Sequence, residues 1–416
     1  MNSAVAALIG LVLAIVLIIK KLQPVYSLMI GALAGGLLSG WGLETFNLML
    51  GGVKDMLPSI YKILAAGVLA GVLIKTGAAA SISHSIVKTL GSKHVYLAVA
   101  LSTMLLTAVG VFIDVAVITV APIALLLASK LSLSRAALLL AMIGGGKCGN
   151  IMSPNPNTIA AAGNYDAPLS SVMAVGIIPA VIGLVVTVYL IVPLISKKKD
   201  EPLSFEEIEE SALPPFWASI AGPLLVVILL ALRPLFGIEI DPVIALPAGG
   251  ILGLCATRTW RQAPECISYG LKKMFVVALL LVGTGTLAGI IKASEIKDVL
   301  IAMLSGWDTG GVMLAPISGM LMSAATASTT AGATISSSLF AQPVLDAGVA
   351  SVWGASMTNA GATVLDHLPH GSFFHATGGS VGMQIKERMR LIPYETIIGL
   401  VLTLLSLGMY YVTTLF

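Results

Sequence analysis

Three residues that could carry chemistry are ionisable groups surrounded by apolar sequence. Asp114, Asp366 and His367 lie in stretches whose neighbours are mostly apolar or small. Ionisable residues inside a bilayer are costly, so they are candidates for function. A histidine beside an aspartate can carry protons, because its reference pKa of about 6.5 is close to cellular pH. We predict that His367 with Asp366 takes up a coupling proton, with Asp114 next; the alternative is a buried structural pair.

A fourth ionisable residue, Lys147, is placed too deep to reach the membrane surface easily. It follows Arg135 along one predicted helix by twelve residues, a rise of about 18 Å. An ammonium group at that depth needs an anion. We expect this anion to be Asp114, Asp366 or the carboxylate of a bound ligand, and a structural ion pair is the alternative.

Lys147 lies in the segment GGGKCGNIMSPNPNT, residues 144–158, which is rich in amide and hydroxyl groups. Pro154 and Pro156 should stop the helix. A helix that resumes near Thr158 would direct its N-terminal N–H groups into the break, where a carboxylate can bind. A kinked polar helix that only packs is the alternative. The candidate ligand-binding residues of this segment are Lys147, Asn150, Ser153, Asn155, Asn157 and Thr158.

Two segments of the second half carry similar groups, namely SAATASTTAGA (residues 323–333) and TNAGATVLDHLPHGSFFH (residues 358–375). Small hydroxyl residues can also serve only to let helices pack closely. We favour a role in lining the site. The candidate ligand-binding residues here are Thr326, Ser328, Thr329, Thr330, Asn359, Thr363 and His370.

The composition indicates a protein that crosses the membrane several times. Of 416 residues, 57% are hydrophobic and 10% are charged, whereas roughly a quarter are charged in soluble domains. The net charge of +3 fits basic cytoplasmic loops, so we expect no nucleic-acid partner. The spacing of the three cysteines and five histidines matches no disulfide or metal signature, and we expect no metal and no cofactor.

Apolar runs long enough to serve as membrane helices alternate with charged loops. Lys20 and Lys21 follow the first run, so we place the N-terminus outside the inner membrane. The loop with Lys386, Arg388 and Arg390 is then predicted to be cytoplasmic. The acidic residues other than Asp114 and Asp366 are expected in loops, at helix ends or in the linker. The predicted runs cover residues 3–20, 24–41, 56–75, 168–196, 214–233, 243–257, 274–291 and 391–415, with about three further passes between 94 and 165.

The layout of the first half recurs in the second. LAGVLIK at residues 69–75 resembles LAGIIK at residues 287–292, and Asp114 precedes Pro156 by 42 residues as Thr326 precedes Pro369 by 43. An odd number of crossings in each half would give the halves opposite orientations. We therefore predict an all-α fold with two inverted-topology repeats and broken or re-entrant helices near the midplane. The repeats are residues 1–196 and 214–416, joined by a cytoplasmic linker at 197–213.

Nearly the whole chain resembles the gluconate:proton symporter family, which also contains permeases for other sugar acids, glycerate and D-serine. The resemblance is carried by VGVFIDVAVITVAPIALLLA (residues 109–128), NIMSPNPNTIAAA (residues 150–162) and SAATASTTAGATISSSLFAQPVL (residues 323–345). The chain is similar to a divergent branch, because SPNPN and LDHLPHG replace the family's usual segments at the presumed site. The resemblance implies import of a small hydroxylated carboxylate with protons by alternating access.

The sequence is also compatible with two other transport functions, and it argues against an enzyme or a channel. Sodium could replace the proton, since broken helices with exposed carbonyls also suit Na⁺, and a cation/proton antiporter would use buried aspartates equally well. Neither a metalloprotease nor a serine-hydrolase motif occurs, so we expect no enzyme. Nothing resembles a selectivity filter. The expected partners are a small organic anion and the lipid bilayer, and a homodimer is left open.

Overall fold

The computed structural model describes residues 2–91, 94–196, 213–238, 240–295, 310–369 and 371–415. Over these residues the chain is helical and has no strand, which confirms the predicted all-α class. Residues 197–212 of the predicted linker lie outside the described residues, as does the candidate His370. These two expectations therefore stay predictions.

The helices of the first half follow the predicted apolar runs, and the irregular region before residue 165 contains three helices and a short fourth. They are α1 (Ser3–Ile19), α2 (Pro24–Leu38), α3 (Glu44–Lys75), α4 (Ala78–Leu90), α5 (Val95–Ala108), α6 (Ile113–Leu131), α7 (Arg135–Ile151), α8 (Pro156–Asn164), α9 (Leu169–Val186) and α10 (Pro193–Ser196). A π-helical turn, Thr187–Ile191, joins the last two.

The second half has the same succession of long, short and broken helices. They are α11 (Phe216–Phe236), α12 (Pro242–Ala256), α13 (Ala263–Ala293), α14 (Gly310–Thr326), α15 (Thr329–Asp346), α16 (Ser351–Gly361), α17 (Ser372–Ser380), α18 (Ile385–Met389) and α19 (Ile392–Leu415). A single 3₁₀ turn, Trp260–Gln262, precedes α13.

Helices α3 and α13 begin about a dozen residues before the apolar runs that predicted them. Their first turns carry polar and charged groups, such as Glu44 in α3 and Glu265 in α13. A helix satisfies its backbone hydrogen bonds internally whether its side chains are polar or apolar. Hydropathy therefore marks only the apolar part of each helix.

Several helical segments are long and apolar enough to cross a membrane. Six have at least 18 residues with suitable hydropathy within the described part of the chain. They are Glu44–Lys75, Arg135–Asn164, Leu169–Ser196, Phe216–Arg233, Trp260–Ala293 and Ile385–Thr414. Shorter apolar helices such as α1, α2 and α12 accompany them. The chain is thus a multi-pass membrane protein.

The positions of the helices repeat with a constant offset. Helices α6, α7 and α8 begin at residues 113, 135 and 156, and α15, α16 and α17 begin at 329, 351 and 372, in each case 216 residues later. This offset places Thr330 rather than Thr326 opposite Asp114, and Thr363 opposite Lys147. The order of elements agrees with the predicted repeat, while the opposite orientation of the halves stays a prediction.

The chain forms two compact units, and each takes segments from both halves of the sequence. Unit 1 comprises Met1–Ile63, Pro156–Val172 and Phe275–Asp366. Within it α1 packs on α2 and α14, while α8 packs on α15 and α16. Ala7, Leu11 and Ile335 belong to one buried hydrophobic cluster in this unit. The predicted repeats divide the sequence into two halves, whereas each compact unit combines segments from both halves. The repeat boundaries therefore stay predictions.

Unit 2 comprises Leu64–Asn155, Met173–Met274 and His367–Phe416. Helix α5 packs along α7, and α4 contacts α5, α6 and α11. Helix α17 packs on α6, and α19 packs on α7. The end of α7 is thereby enclosed by helices that are distant in sequence, which positions its polar residues away from lipid.

Close packing of α5 against α7 depends on the absence of a side chain at Gly145. A Cβ atom built at this position would overlap the carbonyl oxygen of Ala100 and press on the Thr103 hydroxyl. Small residues let membrane helices approach until their backbones touch. Gly408 in α19 differs, because a Cβ atom there would meet nothing within 4 Å.

We predict that Gly145→Ala lowers the free energy of unfolding by about 1–3 kcal/mol, because the extra methyl group must separate α5 from α7. Gly408→Ala is the matched control and should leave stability unchanged or raise it, since alanine favours helices. Thermal unfolding of the purified protein in detergent measures both. Equal melting temperatures for the two variants would contradict this packing.

Candidate functional site

Two short breaks between consecutive helices each contain a residue with a left-handed backbone. Gly110, between α5 and α6, has φ +100°, and Ala327, between α14 and α15, has φ +48°. The left-handed region is unfavourable for an alanine by roughly 1–2 kcal/mol. Asp114 follows the first break, half-buried in the first turn of α6, where the helix dipole favours a carboxylate.

At the second break, hydroxyl groups hold both the helix end and an acid. The Ser328 side chain accepts a hydrogen bond from the Ala331 N–H at 3.2 Å and thereby caps α15. The Thr329 hydroxyl donates to the Asp366 carboxylate at 2.5 Å, and Asp366 is only 2% exposed. The break and the buried acid of unit 1 are therefore connected directly.

The first turn of α8 is joined to α16 by buried side-chain hydrogen bonds within unit 1. The Asn157 amide donates to Asn359 Oδ1 at 2.8 Å, and the Asn359 amide donates to the Thr158 hydroxyl at 3.1 Å. The Tyr165 and Thr358 hydroxyls are 2.8 Å apart. Helix α8 does resume after the prolines, beginning at Pro156, close to the predicted position.

The other half of the same segment, at the end of α7, belongs to unit 2. The Asn155 amide donates to Asn150 Oδ1 at 2.7 Å and to the Thr107 carbonyl at 3.2 Å, while the Ser153 hydroxyl donates to the Asn150 carbonyl at 2.8 Å. Asn155 Oδ1 is buried and accepts no hydrogen bond from the described residues. Such an acceptor costs about 1–3 kcal/mol, and a donor on a ligand would satisfy it.

Lys147 takes part in a buried cluster of ionisable groups in unit 2. Its Nζ atom lies 3.2 Å from His367 Nδ1 and 3.5 Å from the Glu395 carbonyl oxygen, and the side chain is fully buried. Two groups face His367 Nε2, the Ile392 carbonyl at 3.0 Å and the Thr396 hydroxyl at 3.2 Å. The predicted ion pair of Lys147 with Asp114 or Asp366 stays a prediction.

One expectation about charges at this cluster was wrong. Arg388, expected in a loop, lies in α18, is 1% exposed and pairs with Glu395 through its two terminal guanidinium nitrogens, one at 3.1 Å. Glu395 lies at a helix end as expected, in the first turn of α19, but it is fully buried. The reason is charge compensation, because each residue can be buried only with the other.

The guanidinium group of Arg388 has further partners that hold it in place. It donates to the Thr377 hydroxyl at 3.2 Å, and its carbon atom lies 4.9 Å from the centre of the Phe374 ring. Glu395 Oε2 is 4.0 Å from His367 Nδ1. A signal in the sequence was the single carboxylate at the head of an otherwise apolar helix, seven residues after an arginine.

The remaining predicted residues are dispersed around the breaks. The Thr326 hydroxyl donates to the Met322 carbonyl of its own helix at 2.8 Å. The Thr363 hydroxyl, just after α16, donates to the Ala360 carbonyl at 2.7 Å. Thr330 is half-buried in the first turn of α15. Asp366 and His367 are consecutive in sequence, yet they end unit 1 and begin a segment of unit 2, respectively.

Each unit contains a cavity lined partly by charged residues. The cavity of unit 2 has a volume of about 500 Å³ and is lined by Arg135, Arg390, Glu387 and Tyr394 together with apolar residues. The cavity of unit 1, about 180 Å³, is lined by polar groups that include Asn164. Its rim carries the ion pair between Lys292 and Asp55, at 3.2 Å.

Comparison with known families gives one long match and one short one. The family described as GntP family permease matches residues 3–243. The family described as Na+-H+ antiporter matches residues 218–307. The first match contains α7, α8 and the break between them, and the second contains α11 to α13.

Three relatives align over almost their entire length. An uncharacterized transporter of Haemophilus influenzae is 54% identical, covering 97% of this chain and 97% of its own. The high-affinity gluconate transporter of Escherichia coli is 22% identical, covering 95% and 96%. The gluconate permease of Pseudomonas aeruginosa is 24% identical, covering 97% and 96%.

One solved structure has a similar fold. The crystal structure of the Alcanivorax borkumensis YdaH transporter, described as having an unusual topology, superposes with a TM-score of 0.65. The superposition covers 87% of each chain at 16% sequence identity. At that identity the likeness shows the fold alone.

We predict that Arg388→Met destabilises the protein by about 3–5 kcal/mol, because Glu395 loses its buried partner. The double variant Arg388→Met/Glu395→Gln should recover most of this loss, since no unpaired carboxylate remains. Arg390→Met, a change at an exposed neighbour, is the control and should have little effect. Thermal unfolding in detergent measures all three, and equal losses in the single and double variants would contradict the pairing.

Proposed function

Since the chain belongs to the GntP family of permeases, we propose that it imports a small hydroxylated carboxylate together with protons. Relatives and structural neighbours are transporters, so the prediction that the chain is not an enzyme is confirmed. Two full-length relatives are named for gluconate. Sugar acids of that kind are accordingly the first substrates to test.

The observation that carries this proposal is the hydrogen-bonded cluster at the first turn of α8. Asn157, Thr158 and Asn359 are each at most 1% exposed, and they link the broken segment to α16. Amide and hydroxyl groups can exchange hydrogen bonds with the hydroxyls of a ligand, and the N-terminal N–H groups of a helix favour a carboxylate.

The predicted residues receive the following roles in this proposal. Lys147 and the helix ends at the breaks attract the carboxylate, and buried amides and hydroxyls bind the hydroxyl groups of the substrate. Asp114, Asp366 and His367 are the candidates for the coupling proton. The proposed binding groups are Asn150, Ser153, Asn155, Asn157, Thr158, Thr326, Ser328, Thr329, Thr330, Asn359 and Thr363, with His370 as a further candidate outside the described residues.

A coupled proton removes the main electrical obstacle to the uptake of an anion. A single negative charge that enters alone opposes the membrane potential by about 2.3 kcal/mol per 100 mV. Movement of one set of broken helices against the rest would provide alternating access. We place the protein in the inner membrane with its N-terminus outside, as the basic residues after α1 predict.

Cation/proton antiport is the second candidate, and one observation favours it. The match to the Na+-H+ antiporter family covers residues 218–307. Helix α13 in that region carries no acidic residue between Glu265 and its end at Ala293. A buried carboxylate that could bind the cation would therefore come from another part of the chain, such as Asp114 or Asp366. Carboxylate symport with sodium is the remaining alternative.

We predict that proteoliposomes containing the protein accumulate radiolabelled gluconate or a related sugar acid when the outside is acidic. An imposed sodium gradient at equal pH should not drive uptake, because the proton is the coupling ion. Liposomes without protein are the control. Sodium-driven uptake would favour sodium symport, whereas cation-driven proton efflux without uptake of any carboxylate would favour the antiporter.

We predict that Asn359→Ala lowers uptake at least about 10-fold, since it removes both hydrogen bonds between α16 and the start of α8. Asn47→Ala is the matched control, because Asn47 is exposed and its amide contacts only Glu44 within the described residues. Initial rates at several substrate concentrations and the melting temperature should be measured together. Normal uptake by a folded Asn359→Ala variant would contradict the proposed site.

A further inference from the structure

The buried cluster around Lys147 contains two basic groups in direct contact. Lys147 Nζ and His367 Nδ1 are 3.2 Å apart, and both side chains are completely buried. His367 Nε2 faces the Ile392 carbonyl, which can only accept a hydrogen bond. With Nε2 carrying a hydrogen, the lone pair of Nδ1 in the neutral ring points toward Lys147 Nζ.

The acidic partner of these two bases is fixed in position. Glu395 Oε2 lies 4.0 Å from His367 Nδ1, and both Glu395 oxygens accept hydrogen bonds from Arg388. Arg388 stays protonated at every cellular pH. The arginine and the glutamate therefore cancel in charge. Release of the proton shared by Lys147 and His367 therefore makes the cluster less positive by one unit of charge.

We propose that the coupling proton of this transporter is held between Lys147 and His367, with Glu395 and Arg388 as positioning residues. This inference rests on the proposed function and selects His367 among its three candidate sites. Within the cluster the Lys147 N–H bond breaks as the Nδ1–H bond of His367 forms, and the net charge does not change. Release to water then removes one proton and one positive charge.

The groups around the pair come from four segments. Helix α7 supplies Lys147, α18 supplies Arg388, and α19 supplies Glu395. The segment between α16 and α17 supplies His367, and Asp366 precedes it in the chain with its carboxylate against Thr329. Within unit 2, the ion pair of Arg388 with Glu395 is therefore the charged neighbour of His367 that can influence its proton affinity.

The cavity of unit 2 extends to the first turn of α19. Leu391 and Tyr394 line this cavity, whereas Ile392, Glu395 and Thr396 contact the buried cluster. Residues three or four apart share one face of a helix. The cavity and the proton pair thus lie on either side of the first turn of α19, where the cavity-lining Tyr394 is followed directly by Glu395 of the cluster.

Substrate and proton are linked through charge. A carboxylate that binds near the cluster favours its protonated, positive state, so substrate binding and proton binding strengthen each other. The anion then crosses the membrane together with the proton that neutralises it. If the positive charge at Lys147 were permanent, the cluster would still attract an anion, but no proton would be taken up or released with it.

Lys147→Arg tests this inference, because arginine keeps the positive charge but does not release its proton. Gluconate binding to the purified protein is measured by calorimetry in buffers of different ionisation enthalpy. We expect the wild type to take up about one proton per gluconate. Lys147→Arg should bind gluconate with proton uptake near zero. In proteoliposomes it should exchange gluconate across the membrane, but a pH gradient should not drive accumulation.

Three further variants complete the test. Lys54→Met, at an exposed position in α3, is the control and should behave like the wild type. Glu395→Gln leaves Arg388 without its buried partner, so its folded fraction is measured first. In the folded protein, proton uptake should shift to lower pH, because loss of a nearby negative charge weakens proton binding. Lys147→Met should lose pH-driven accumulation, which provides a second reading if Lys147→Arg does not fold.

The outcomes separate this inference from the proposed function. Wild-type binding and pH-driven uptake, with unchanged proton uptake in Lys147→Arg, would overturn the inference alone. Loss of proton uptake in Asp366→Asn or Asp114→Asn, with none in the Lys147 variants, would assign the proton to that aspartate and also overturn it. Absence of gluconate or other sugar-acid uptake by the wild type would overturn the proposed function and the inference with it.

Discussion

Pairing of buried charges is the constraint on which the interior of unit 2 depends. Glu395 and Arg388 are both buried, and neither could be buried alone without a penalty of several kcal/mol. Their pairing fixes α18 against the first turn of α19 and places a carboxylate beside His367. Lys147 reaches the same point from α7. A single ion pair thereby organises four segments that are far apart in sequence.

The broken helices impose a related requirement on the backbone. Where α7 ends and α8 begins, and where α14 gives way to α15, polar side chains occupy the positions at which regular backbone hydrogen bonds are missing. Asn155, Ser328 and Asn359 each contact groups at these breaks. The same amides and hydroxyls that stabilise a break are suited to a hydroxylated ligand. The same residues therefore stabilise the breaks and, in the proposed function, bind the substrate.

Membership in a permease family relates the buried charges and the helix breaks to membrane transport. The GntP match and the full-length relatives define a membrane transporter. The substrate and the coupling ion are part of the proposed function. In that chemistry an anion needs a compensating charge to enter the cell. A proton shared by two buried bases provides a charge that can be present on one side of the membrane and absent on the other.

The fold followed from the sequence to a large extent, because apolar runs and charged loops report directly on which segments can lie in a membrane. The eight predicted runs all correspond to helices, and the recurrence near 216 residues was visible in short matching segments. The breaks were predictable too, since proline and glycine act locally. Lys147 and His367 were identified as unusual for the same reason, namely their apolar surroundings.

The partners of these residues were decided only by the tertiary structure. A sequence shows that Lys147 needs compensation, but it does not show that His367, 220 residues away, lies 3.2 Å from it. Arg388 and Glu395 were assigned to loops and helix ends because their local surroundings are compatible with water. Burial of a charge depends on a counter-charge supplied through long-range packing, and local hydropathy contains no information about that packing.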